Sequence, residues 1–261
     1  QVRKMKGDSV RWFQKTAGFL DSVDTTGITA SQIANTSTKS LPVVVEQTWT
    51  RNTSYVREYK VESPLITEAD IKDSDIDILG GNVRDLVRAV ARQVDSRIYN
   101  VITESQSPSN ILNTAATGNG WDDTSNGNPV LDIMNGQQKI RSQSYNSNEL
   151  ILVMNPIEHK HLLNYLITVK GSSIPQFSST QITKHVVMEI LGNNVIVSEN
   201  AVTDSVAQWI PNRSATWKTF EAIQSVVIVE PLIGRKIRVK ESGECLLTDP
   251  KSVHLITDTI T

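Results

Sequence analysis

Apolar residues recur at spacings of three and four through Leu79, Val83, Leu86, Val87, Val90, Val94, Ile98 and Val101. That period puts them on one face of a helix, predicted to start near Ser74 or Asp75 and run to about Ser105. Paired glycines, Gly80 and Gly81, predict a bend near its start. Upstream the pattern differs. LPVVVEQTW and YVREYKVESPLI are rich in strand formers and flank TRNTS, so residues 41–66 read as a long hairpin turning at TRNTS. In the second limb Tyr55, Arg57, Tyr59 and Val61 share one face, and Val56, Glu58 and Lys60 share the other. Neither face is a clean apolar stripe. A two-stranded hairpin is marginal alone in water, so this one either lies on its own domain or reaches a neighbour.

Residues 1–40 carry a basic start, a short amphipathic piece around Val10, Trp12, Phe13 and Leu20, then a Thr-, Ser- and Asn-rich stretch. Such a segment buries little and reads as an extended arm. Residues 67–78 are acidic, and 106–129 are a polar loop. From Pro129 helices and strands alternate. A helix is predicted over 130–145, a buried strand at ELILVMN, and a helix at PIEHKHLLNYLITVK with Asn155 as cap and Pro156 in its first turn. After a loop at GSSIPQFSSTQ come strand-like runs at HVVMEI, NVIVSE, VAQWI, SVVIVEP, GRKIRVK and SVHLITDTI.

Composition narrows the classes. With 38% hydrophobic and 21% charged residues the chain has a globular balance, not that of a disordered one. A formal net charge of −2 excludes a general polyanion binder and leaves only local basic patches. A single cysteine, Cys245, cannot staple its own chain. No apolar run approaches the ~20 residues needed to cross a bilayer.

The search for chemistry returns no constellation. No phosphate loop or nucleophile elbow is present. Gly118-Asn119-Gly120 lacks the third glycine of a dinucleotide fingerprint and reads as loop. His159 and His161 lie two apart on a helix and do not share a side; His185 and His254 are isolated. Asp73, Asp75 and Asp77 resemble the opening of a calcium loop, but Ile78 and Arg84 stand where Gly and Glu are required, so the run reads as an acidic helix start. Arg84, Arg88 and Arg92 form a basic row beside the apolar face. It either faces nucleic acid or an acidic neighbour, or is a solvated flank pairing with Asp85 or Asp95. No catalytic, cofactor or metal residue is predicted, and the chain is not expected to be an enzyme.

The order of parts is the informative feature. LPVVVEQTW…YVREYKVE, DIDILGGNVRDLVRAVARQVDSRIYNVIT, ELILVMNP followed by a helix, LGNNVIVSENAV and PKSVHLITDT together resemble the major capsid proteins of tailed bacterial and archaeal viruses, the Hong Kong 97 fold. The resemblance implies an α+β fold with an arm (1–40), an extended hairpin loop (41–66), a peripheral domain with a spine helix (67–128) closed by return strands (226–261), and an inserted α/β axial domain (129–225). It implies copies assembling into hexamers and pentamers of an icosahedral shell around double-stranded DNA. That shell belongs to a virion built in the host cytoplasm, with portal, scaffold, protease and cement proteins as partners and no membrane. Gln1 leans towards a chain processed from a longer precursor. Trp49, Tyr55 and Tyr59 are the expected contact aromatics, with Arg51 and Arg57 as intersubunit ion-pairing cations. Packing of the aromatics on the chain's own spine helix is the alternative. An encapsulin-type nanocompartment shell is the rival of the same fold, and an α/β enzyme built on 129–225 the rival of another class.

Overall fold

A computed structural model describes residues 2–4, 9–15, 49–73, 77–143, 145–146, 149–169 and 189–260. Most of the expected arm, the first limb of the expected hairpin, Ser74, Asp75 and His185 lie outside them. In chain order the strands and helices are β1 (Val2–Lys4), β2 (Ser9–Lys15), β3 (Trp49–Tyr55), β4 (Arg57–Glu62), β5 (Ile66–Thr67), α1 (Glu68–Asp73) and α2 (Ile78–Ile102). Then come β6 (Leu112–Ala115), α3 (Pro129–Ser142), β7 (Leu150–Met154), α4 (Pro156–Asn164), β8 (Glu189–Ile190), β9 (Asn193–Val197) and β10 (Ser205–Trp209). The last strands are β11 (Ala215–Glu230), β12 (Gly234–Leu247) and β13 (Val253–Thr257).

Contacts divide the chain into two compact units. The first comprises residues 1–12, 52–101 and 216–246; the second comprises 13–51, 102–215 and 247–261. The expected segments differ at their edges. Residues 102–128 and 247–261 join the second unit because β6 and β13 are hydrogen-bonded into its sheet. Residues 216–225 join the first because β11 runs unbroken through them.

In the first unit the strand order is β1-β11-β12-β4, with β5 also on β12. The apolar face of α2 packs on this sheet. Ile78, Leu79, Val83, Leu86, Val87 and Val90 meet Tyr59, Val61, Ile66, Ile71, Ile237 and Val239. Each fully buried Val or Ile contributes about 1.5–3 kcal/mol, so this cluster holds the unit together. The periodic helix is therefore borne out, beginning where the Asp77 carboxylate accepts the Gly80 N–H at 2.9 Å. The helix is continuous through Gly80 and Gly81. A Cβ on Gly80 would overlap the Asp77 carboxylate, so the glycine makes room for the cap.

The expected turn at TRNTS is strand. Residues 50–54 lie inside β3, which pairs with β2, while β4 pairs with β12. β3 and β4 are thus successive pieces of one extended run broken at Val56, not two arms of a hairpin. Thr50 and Thr53 are β-branched and suit a strand once β2 supplies a ladder. The acidic linker likewise contains a short helix, α1, started by reciprocal hydrogen bonds between Thr67 and Asp70.

In the second unit the order is β6-β13-β10-β7-β9-β8. Ile133 of α3 and Leu162 of α4 pack with Leu152, Met154, Val206 and Ile256 of the sheet. Asn128 and Asn155 cap the two helices, each followed by proline at the first position. The buried Asp132 carboxylate accepts the Trp121 indole N–H at 2.8 Å and the Thr117 N–H at 3.0 Å, which fixes the loop between β6 and α3. A Cβ on Gly136 would collide with Gln208 Oε1 and His254 Nδ1, so only glycine lets α3 approach this closely.

His254 is 0% exposed, with Nε2 2.9 Å from Thr114 Oγ1. Burial, helped by the Lys139 charge, pulls its pKa from 6.5 down to about 3. Between those values the unfolded chain binds a proton that the folded chain refuses. Stability therefore falls as pH drops through this window, by up to about 1.4 kcal/mol per pH unit. Urea unfolding measured at pH 7, 5 and 4 is expected to follow that slope, and His254→Gln is expected to flatten it.

Candidate subunit-contact surfaces

The five residues expected to make contacts separate into two groups. On β3, Trp49 is 51% and Tyr55 74% exposed, and Arg51 is exposed as well. On β4, Tyr59 is half-buried within the cluster beneath α2, and its hydroxyl is buried without a partner among the described residues. Burial, then the Glu244 charge, pushes that hydroxyl's pKa up. Arg57 brings Nε to 3.2 Å from Glu244 of its own chain. The structure thus leaves Trp49, Arg51 and Tyr55 as surface, and engages Arg57 and Tyr59 within the first unit.

Glu244 is the electrostatic centre of that unit. Its side chain is 1% exposed, and Oε1 accepts from Arg97 of α2 at 2.6 Å through Nη2 and at 3.2 Å through Nε. Removing the guanidinium would leave a buried charge uncompensated. Arg97→Ala is expected to lower the unfolding free energy by about 3–5 kcal/mol in urea titrations. Arg57→Ala, at a side chain 57% exposed, is expected to cost at most about 1 kcal/mol.

The other face of the β4–β12 pair is charged. A groove of about 560 Å³ is lined by Glu58, Lys60, Val61, Glu62, Arg238 and Lys240. Lys240 lies 3.1 Å from Glu58 and 2.8 Å from Glu221, and Arg238 lies 2.5 Å from Glu62. Hydrogen bonds from Lys240 and Lys60, with their charges, lower the Glu58 pKa. Exposed pairs of this kind add little stability, and they keep the face wet.

On α2 the row Arg84, Arg88 and Arg92 is exposed. Among the described residues no ion pair joins Arg84 or Arg88 to Asp85, one of the two partners that the solvated-flank reading offered.

In the second unit a half-open polar cluster holds the end of β2. Lys15, 4% exposed, donates to Tyr145 Oη at 3.2 Å, and its own N–H bonds Thr248 O at 3.0 Å. Tyr145 Oη and Arg213 Nε each donate to Asp249 at 2.8 Å. Burial pulls the Lys15 pKa down, against the Asp249 charge. A recess of about 220 Å³ here is lined by Lys15, Trp49, Arg213, Thr248 and Asp249.

Among the described residues, the most exposed large apolar side chain lies at a turn that the sequence pattern does not mark. Glu230–Ile233 form a turn closed by Ile233 N–H to Glu230 O at 3.1 Å, with Pro231 presetting the first corner. Leu232 occupies the second at φ 64, a conformation that favours glycine, and is 98% exposed. Val226, Val227, Val229 and Ile233 beside it are each about half exposed, on both faces of the ribbon. The signal was in SVVIVEPLIG, where an apolar run continues across a Pro-Leu turn.

Cys245 is buried, and burial with the Glu244 charge pushes its thiol up to about 12. His159 is buried on α4 and its pKa is lowered by that burial. Among the described residues no group of three or more His, Cys, Asp or Glu is placed to hold a metal ion, and no helix is long and apolar enough to cross a membrane.

Over 98% of its length the chain superposes on a structure from Mycobacterium phage Che8, with a TM-score of 0.66 at 14% identity and 86% of that chain covered. The capsid structure of cyanophage P-SCSP1u gives 0.70 at 9% identity, with 98% and 85% covered. A virus-like particle from Pyrococcus furiosus gives 0.61 at 15% identity, with 98% and 88% covered. No curated protein matches the sequence significantly. Residues 65–241 match the family described as phage capsid protein, well over half of the chain, and the chain belongs to that family. The expected Hong Kong 97-type fold is borne out, and the protein is a major capsid protein located in the virion shell.

Proposed function

We propose that copies of this chain close into pentamers and hexamers of an icosahedral shell around a double-stranded DNA genome. The observation that carries the reading is the β11–β12 tip, in a chain of the phage capsid family. A side chain as apolar and exposed as Leu232, held at a strained φ, is suited to a contact with another copy. Contacts between unlike patches run head to tail and close into rings, and many modest contacts per subunit give a stable shell. The unit carrying α2 and β11–β12 takes the peripheral part, and the unit built on the six-stranded sheet takes the axial part. Trp49, Arg51 and Tyr55 on β3 supply further contacts. Arg84, Arg88 and Arg92 offer a positive surface to the packaged phosphates. Assembly in the host cytoplasm would involve portal, scaffold, protease and cement proteins. Membership of the phage capsid family favours a viral shell over an encapsulin-type compartment.

The test uses the full-length gene product with light scattering and negative-stain electron microscopy. Closed shells, or rings of five and six, are expected. Leu232→Asp is expected to cut the yield of particles at least tenfold while leaving the unfolding midpoint unchanged. A species that stays monomeric at high concentration would contradict the proposal.

A further inference from the structure

β11 is sixteen residues long, and its two edges are used unequally. One edge carries β12. Along the other, β1 pairs with only Trp217, Lys218 and Thr219. Among the described residues, Phe220–Glu230 of that edge have no strand beside them. Among those residues a row of backbone N–H and C=O groups is therefore open, and proteins normally protect such an edge with charge, proline or a covering element. Among the described residues none is present: residues 222–229 read AIQSVVIV, without a charge or a proline, and only Ile228 among them is not exposed.

Backbone groups in this arrangement are matched by another strand, and an uncharged apolar edge selects an uncharged one. The other described strands with an open edge do not qualify. β4 alternates Arg57, Glu58, Lys60 and Glu62, and β2 and β3 carry Arg11, Lys15 and Arg51. β1, β5, β6 and β8 have four residues or fewer, and the part of β9 that β8 leaves open is only Val195–Val197. The one described strand whose open edge matches 222–229 is the same segment of another copy. An antiparallel pair about a two-fold axis lets one patch complement itself.

We propose that β11 of one copy adds edge to edge to β11 of a second copy, residues 222–229 pairing antiparallel across a local two-fold of the shell. The inference rests on the shell reading and names one of its contacts. It accounts for a long apolar strand left without gatekeepers, a sequence that in a monomer would be an aggregation hazard.

Single cysteines placed in turn at residues 222 to 229 test it, in particles oxidised after assembly and run on a non-reducing gel. Native Cys245 is buried with its thiol pushed up to about 12, so it stays silent. In an antiparallel pair only residues beside the axis lie opposite themselves within disulfide reach. A cross-linked dimer is expected at one or two neighbouring positions, and none from Leu131→Cys, a control on the exposed side of α3. Particles that assemble but give no dimer at any of the eight positions overturn the strand pairing and leave the shell reading standing. A cysteine series and parent chain that never assemble sink both.

Discussion

The first unit is organised around one buried carboxylate. Glu244 is almost completely removed from water, and a charge in that position is tolerated only when it is paired and hydrogen-bonded. Arg97 meets that requirement from the last third of α2, and Arg57 leans over it from β4. The long helix is thereby held to the sheet at a defined register, which the apolar cluster beneath it does not specify as sharply. Valines can slip past one another at small cost. A guanidinium at 2.6 Å from a carboxylate cannot.

Once α2 covers one face of that sheet, the remaining surfaces differ in kind. The outer face of β4 and β12 is closed by its own ion pairs, with Lys240 shared between Glu58 and Glu221. Among the described residues, the tip of the β11–β12 ribbon is exposed on both faces at Val226, Val227, Val229 and Ile233, and it carries a leucine at a position suited to glycine. A lone folded chain gains nothing from that arrangement. A subunit does, because copies can cover it.

The sequence made α2 legible because its apolar spacing fits a helix over some seven turns, and the Asn155-Pro156 start of α4 because cap and proline agree. The order of arm, extended run, helix and α/β block then pointed to the shell fold. What stayed hidden was set by distant partners. TRNTS reads as a turn until β2, some forty residues upstream, provides a ladder. Leu112–Ala115 reads as loop until β13, near the end of the chain, takes it as a parallel neighbour. Arg97 and Glu244 are 147 residues apart, and nothing local marks either as buried. Of the expected contact residues, Tyr59 and Arg57 could not be assigned to core or surface from a pattern that alternates on both faces. The β11–β12 tip was missed for the converse reason: an apolar run in a strand ordinarily means burial, and sequence does not say that burial awaits a second chain.

If surface left open in one chain is closed by other copies, hydrogen exchange reads that closure residue by residue. Exchange of the amides of residues 222–233 would be compared between dissociated subunits and assembled particles. Exchange at least tenfold slower is expected in the particles, with the amides of Ile237 and Val239, already inside the sheet, unchanged. Equal exchange of residues 222–233 in both states would contradict it.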